Sequence, residues 1–301
     1  MTVTKKTWKQ VDGVLLLDKP IGLTSNDALQ KARRLFSAAK GGHTGTLDPL
    51  ATGLLPLCFG EATKFSADLL DADKTYETTL KLGVTTDTGD AEGQVTGMSA
   101  VNVDSSLILP TLRSFEGNIL QTPPMHSALK RDGRPLYELA RKGIEVERAS
   151  RPVTIHGIEL LGFAGDHLSL RVACSKGTYI RVLGEDIGRA LGCGAHLIAL
   201  RRTRVGDLDL NGAVTLQTLI DTVEAARGQF LQPVDALLRS LPVHQVDGEA
   251  EQRFSHGNPV AMSSVAASAK FRVYAGERLL GVGEVMPDGR LWPKRLVQMT
   301  S

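Results

Sequence analysis

One stretch concentrates the residue types that could do chemistry: GGHTGTLDPLATG at positions 41–53. It offers a carboxylate, Asp48, and an imidazole, His43, on the same loop. Gly41, Gly42, Gly45 and Gly53 permit positive φ and close approach of a ligand to the backbone. Pro49 acts in the opposite sense, locking its own φ and driving Asp48 toward extended geometry. A flexible approach followed by a locked acid suits a carboxylate that must be aimed. An Asp-Pro step taken alone is ordinary turn chemistry. A phosphate cradle of the Walker kind needs Gly-Lys-Ser/Thr after its glycines, and that step is absent.

The flanking segments must hold this loop. The apolar run at 13–17, closed by Asp18-Lys19-Pro20, predicts a buried strand, and Thr24-Ser25 predicts a helix cap. Residues 54–59 read as a strand in which Pro56 argues for an edge or a bulge. A helix is expected over 61–70. Residues 74–82 alternate, with Tyr76, Thr78, Leu80 and Leu82 on one face of a half-buried strand. The acidic turn 87–93 lacks the spacing and distal Glu of a calcium loop. Helices are expected over 107–115, 135–141, 175–191 and 215–227, and a strand pair over 153–163 and 167–174 with a Gly165-Asp166 turn. From about 243 the chain changes to short strands, 271–274, 279–285 and 290–297, separated by Gly-rich turns. This is the pattern of a small β module.

The 301 residues suffice for a large domain plus a small one, and 42% hydrophobic residues supply a sizeable core. No apolar run approaches the ~20 residues that span a bilayer, and the N-terminal ten lack the apolar segment of a secretory signal. Cys58, Cys174 and Cys193 are odd in number and far apart, forming no CxxC pair. A reduced cytoplasmic protein with core cysteines is expected. The net charge of +2 is unevenly spread. Residues 1–40 hold eight Lys/Arg against three acids, 176–204 hold six against two, and 65–120 hold three against nine. Such segregation permits a basic face without an extreme pI. Residues 125–152, with seven Lys/Arg and four acids, suit an RNA-gripping insertion or a mobile surface excursion.

The longer string GGHTGTLDPLATGLLP closely resembles the signature loop of the TruB family of tRNA pseudouridine synthases. GVLLLDKP, DKTYE, SKGTYIR and GAHLIALRR match further family segments in the family's order, so the resemblance spans most of the first 240 residues. It implies an α/β (α+β) pseudouridine synthase fold with a mixed, largely antiparallel central sheet. Residues 1–242 would form the catalytic domain, and 243–301 a PUA-like RNA-binding β domain whose match is weaker. The implied activity is isomerisation of uridine 55 in the tRNA T-loop. Asp48 would be the nucleophile, ionised beside a cation, and the resemblance gives that cation as Arg181. Tyr76 would stack on the extruded uracil, a role better suited to a phenol than that of a base at neutral pH. Tyr179 and Leu200 would complete an apolar slot, and His43 would stack within the RNA loop near the vacated space. Lys19 and Lys64 are expected phosphate contacts, with structural support the other role open to Lys19. An isomerisation needs no cofactor, and neither a GxGxxG motif nor a His/Cys metal cluster is present. A monomer acting on a tRNA T-stem-loop, away from any membrane and without metal, is expected. The rival readings are an RNA-folding factor with secondary catalysis and a guide-RNA-dependent pseudouridine synthase.

Overall fold

The structure is a computed structural model describing residues 7–127, 129–131, 133–262 and 267–298. The apolar run after Gly13 forms β1 (Gly13–Lys19), buried along almost all its length. Thr24 caps α1 (Ser25–Leu35) through a capping box: its hydroxyl accepts from the Asp27 N–H while the Asp27 carboxylate accepts from the Thr24 N–H. β2 (Gly41–His43) and β3 (Ala51–Phe59) frame the signature loop. Gly45 and Gly53 take positive φ, +81° and +96°. Gly41 and Gly42 do not, because they serve as strand residues in β2. Pro56 lies inside the sheet rather than at its edge, opposite Leu16 of β1. Its missing N–H is tolerated because β2 stops at His43, and its carbonyl accepts from the Thr44 N–H at 3.1 Å.

β4 (Lys74–Leu82) alternates as its sequence predicts. After it come the hairpin β5 (Val84–Thr86) and β6 (Val95–Met98), then α2 (Ser105–Arg113) and β7 (Gly117–Gln121). A small hairpin, β8 (Lys130–Arg131) and β9 (Arg134–Pro135), leads into α3 (Leu136–Ala140). β10 (Arg151–Ala164) and β11 (His167–Cys174) form the long hairpin, and α4 (Ile180–Ala190) returns the chain to β12 (Ala195–Val205). β13 (Leu208–Asp209), β14 (Val214–Thr215), α5 (Leu216–Asp221) and β15 (Leu231–Gln232) follow. Three expected helices are shorter than their patterns; the one expected over 175–191 begins only at Ile180. Residues 61–70 give only the 3₁₀ segment Gly60–Phe65 before turns. The 215–227 helix ends at α5 because Thr222 turns extended (ψ 131°), and 3₁₀ turns continue from Glu224. The β-branched pair Thr222-Val223 loses rotamer freedom in a helix, which favours the break there.

The main sheet runs β14-β1-β3-β12-β4-β11-β10-β7, with β2, β13 and β15 attached. Only β1/β14 and β3/β12 pair in parallel, so the sheet is mixed and largely antiparallel. Alternate residues of β1 feed opposite layers. Leu15 and Leu17 pack with α1, whereas Val14 and Leu16 join Phe65, Val205 and Leu237 on the other side. α2 and α4 cover the β4/β11 end. The three cysteines are buried; burial pushes the Cys58 thiol up to about 12 and Cys174 up to about 11, as packing residues rather than thiolates.

β16 (Val243–Gln245), α6 (Gly248–Ser255), β17 (Val260–Ala261), β18 (Lys270–Ala275), β19 (Arg278–Val285) and β20 (Arg290–Leu296) build a second, five-stranded sheet. Phe254, Val273 and Leu291 centre its own core. Leu279 and Val282 instead join the cluster of Val14, Leu54 and Phe65, so the module also docks through a shared apolar layer. Asp235, buried at that junction, accepts from Arg272 (2.8 Å) and from the Tyr274 hydroxyl (2.5 Å).

Candidate active site

The signature loop is held from three directions. Ser25, expected to help cap α1, instead turns its buried hydroxyl onto Leu47, accepting from the N–H (2.7 Å) and donating to the carbonyl (3.1 Å). The Gly22 N–H donates to the Pro49 carbonyl at 2.8 Å. From beneath, the Arg202 guanidinium donates to the carbonyls of Leu54 (2.9 Å) and Gly45 (3.2 Å), with a longer reach to Thr46 (3.5 Å). These contacts leave the Asp48 side chain 42% exposed and open to solvent. A bound base must itself exclude the water.

Opposite Asp48, Arg181 projects from the first turn of α4 and is only 6% exposed. Its Nη2 lies 3.1 Å from Asp48 Oδ2 and donates to the His126 carbonyl at 2.7 Å. Its Nη1 donates to the Thr88 carbonyl (3.0 Å) and lies 3.5 Å from Asp90 Oδ2. Thus the acidic turn after β5 gains a purpose that its sequence did not reveal. Asp90 is buried, accepts from the Thr88 hydroxyl (2.6 Å) and the Glu92 N–H (3.1 Å), and holds the far side of the guanidinium. Two glycines seat α4 closely enough for this. A Cβ on Gly184 would lie 2.7 Å from Leu80 and Leu197 side chains, and one on Gly188 2.4 Å from the Ala195 nitrogen.

Cross-strand register assembles the rest. Lys19 faces Gly53, Gly53 faces Arg202, and Arg202 faces Tyr76, so one transverse row of the sheet carries all four. Side chains opposite one another share a face. One step along, Leu200 faces Thr78 and Ala51. Tyr76 and Leu200 are half-buried and touch both the α1 core and the α4 core, forming an apolar seam beside Asp48. Burial pushes the Tyr76 phenol above its ordinary value, against the opposing pull of Arg202. A phenol so placed offers a stacking surface and is a still poorer base than free tyrosine. Tyr179 caps α4 from the same side, its main chain gripped both ways by buried Gln121: the N–H donates to Oε1 (3.0 Å) and the carbonyl accepts from Nε2 (3.3 Å). Burial, then Arg202, holds His43 below its ordinary value and favours a neutral ring.

Of the two roles open to Lys19 the structure favours support, and the expectation for Lys64 needs correction. Lys19 is fully buried and is not a phosphate contact; its Nζ folds back onto the carbonyls of Pro20 (2.9 Å) and Leu23 (2.6 Å), supporting the loop entrance. Lys64 lies away from this site, because the 3₁₀ turn carrying it faces the C-terminal sheet. It donates to Glu61 (2.6 Å) and to the Leu296 carbonyl (2.9 Å), pinning that module. A cavity of about 740 Å³ also opens at the junction of the two sheets, lined by Lys74, His156, Arg204 and Lys270 among others, and shares no residue with this constellation.

A family model described as the TruB family pseudouridylate synthase N-terminal domain matches residues 33–180. Models of a tRNA pseudouridylate synthase B C-terminal domain and of a TruB C-terminal domain match 181–239 and 242–297. A tRNA pseudouridine synthase B from Dechloromonas aromatica is 70% identical over 98% of both chains. The chain belongs to the TruB family of pseudouridine synthases. Another TruB relative, from Ralstonia pickettii, is 56% identical over 97% of this chain and 96% of its own. Among solved structures, an H/ACA ribonucleoprotein bound to a substrate RNA containing 2′-deoxyuridine aligns with a TM-score of 0.74 at 25% identity, over 96% of this chain and 85% of that one. A Cbf5-Nop10-Gar1 complex aligns with a TM-score of 0.71 at 29% identity, over 91% and 78%.

Two predictions concern the TruB row. Gly53→Ala would place a Cβ 2.3 Å from the Arg202 main-chain oxygen at φ +96°. The oxygen is backbone and a Cβ is fixed by its own backbone, so neither can swing aside. We expect a loss of about 3 kcal/mol in urea unfolding. Lys19 is held at about 8, chiefly by burial, against an ordinary 10.5. Between these values the unfolded chain keeps the proton and the folded chain has released it, so stability rises with pH across that window. Lys19→Met removes this component. The stability difference, wild type minus variant, should therefore grow by about 3 kcal/mol from pH 7 to 10.5. Lys74, also held at about 8 by burial, and the tyrosines and cysteines titrate in both proteins and cancel in the difference.

Proposed function

We propose that this chain converts uridine 55 of the tRNA T-loop to pseudouridine, with Asp48 as nucleophile and Arg181 as its charge partner. An isomerase turning uridine to pseudouridine in tRNA follows from family membership. The observation that carries the residue assignment is the 3.1 Å contact between a half-exposed carboxylate and a guanidinium otherwise sealed in the fold, beside the Tyr76–Leu200 seam. An extruded uracil fits against that seam with its ribose toward Asp48. The carboxylate forms an adduct, at ribose C1′ or at base C6, while N1–C1′ breaks. The base turns, C5 joins C1′, the bond to Asp48 breaks to return the free carboxylate, the C5 proton passes to solvent, and N1, freed from C1′, ends protonated. Tyr179 closes the slot, and neutral His43 stacks on the RNA around the vacated position. Residues 1–242 serve as the catalytic unit, with 125–152 gripping RNA, and 243–301 as the PUA-like RNA-binding unit, in a cytoplasmic monomer.

Release of the C5 hydrogen of uridine from a tRNA transcript, with purified protein and no other RNA, tests this. Release confined to position 55 supports the reading, and absence of release ends it. Release only after adding a guide RNA favours the guide-dependent alternative raised by likeness to H/ACA complexes.

A further inference from the structure

Arg202 is 1% exposed, among the largest fully buried side chains of the protein. Among the described residues it forms no ion pair with a carboxylate; its charge is met by the carbonyls of Gly45, Thr46 and Leu54. Burying a guanidinium this way is unfavourable compared with packing an apolar side chain of similar size, so stability does not explain its presence. What its contacts share is the signature loop. Gly45 and Leu54 bracket Asp48 on either side, and the loop's two positive-φ glycines both lie against Arg202. A Cβ on Gly45 would sit 3.5 Å from Nη1, and one on Gly53 would strike the Arg202 main chain. On the adjoining strand its cross-sheet neighbour is Tyr76, and Leu200 stands two residues before it on the same face.

We infer that Arg202 is a positioning residue of the reaction: a planar fork that holds the Asp48 loop from below and orients the Tyr76 phenol beside it, so that nucleophile and stacking surface keep one fixed separation. The fork matters as well as the charge, since three carbonyls set at different angles need the divergent N–H groups that guanidinium supplies and ammonium does not. A loop displaced by an ångström loses the attack geometry while the outer RNA contacts persist.

The test compares wild type with Arg202→Lys, which keeps the charge, and Arg202→Met, which keeps much of the stem. Because the kinetic arm rests on the isomerase reading, amide hydrogen exchange of residues 43–54 is measured alongside it, on the same proteins without RNA. In Arg202→Lys, single-turnover C5 hydrogen release should fall at least about 30-fold with tRNA Kd within about threefold. Loop amides should exchange at least about tenfold faster, with β18 and β19 unchanged. Arg202→Met should show larger losses of the same kind, and its His43 ring should titrate at higher pH once the neighbouring charge is gone. Wild-type rates and loop exchange in Arg202→Lys would overturn the inference, as would a loss of tRNA affinity equal to the loss of rate. An inactive wild type would sink the isomerase reading yet leave the exchange arm to decide the positioning role. Should Arg202→Met not fold, Arg202→Lys alone decides.

Discussion

Asp48→Asn lowers single-turnover release of the C5 hydrogen by at least about 10⁴-fold and leaves tRNA Kd within about threefold. The substitution preserves shape and hydrogen-bonding reach but removes the negative charge that attacks carbon, and an amide is no nucleophile under these conditions. Loss of covalent catalysis with intact binding appears in the rate and not in Kd. The side chain is 42% exposed and is one of four acceptors around Arg181, so the fold should tolerate the change within about 1 kcal/mol in urea unfolding. Release at a wild-type rate would remove Asp48 from the chemistry.

Arg181→Met is expected to damage rate and fold together. The guanidinium satisfies two carbonyls and two carboxylates, and one of those, Asp90, is buried. Removing the cation strands the Asp90 charge, which costs roughly 3–5 kcal/mol, and leaves Asp48 without a counter-charge as the adduct forms. C5 hydrogen release should fall about 10³-fold, with Tm several degrees lower. Two further variants separate the effects. Arg181→Lys keeps a charge but cannot reach four acceptors on opposite sides, so it should recover part of the stability and little of the rate. Adding Asp90→Asn to Arg181→Met removes the stranded charge and should restore stability without activity. Equal recovery of both by Asp90→Asn would contradict a direct role for Arg181 beside Asp48.

The legible part of the site was the part written locally. The Asp48-Pro49 step, the Thr24 cap and the alternation of 74–82 are set by steric and hydrogen-bonding preferences within a few residues. The resemblance then singled out Arg181 as a partner for Asp48, and the two stand 3.1 Å apart. Arg202 escaped notice because an arginine in a basic run reads as solvated, and nothing local marks it as buried. Leu200, two positions earlier on the same strand face, was the available signal. Asp90 hid in an acidic turn for the same reason. Lys64 was misplaced because its neighbour, Leu296, comes from the far end of the chain.

The amino-acid sequence by itself determined the loop that presents Asp48, the main strands and several helices around it, and the separate character of the last sixty residues. Only the tertiary structure decided which cations lie near that carboxylate and which are spent elsewhere. A strand fixes the face on which a residue points, since its period is two. Its neighbours depend on the pairing register between strands far apart in the chain, and here that register sets Lys19, Gly53, Arg202 and Tyr76 on one row beneath the nucleophile.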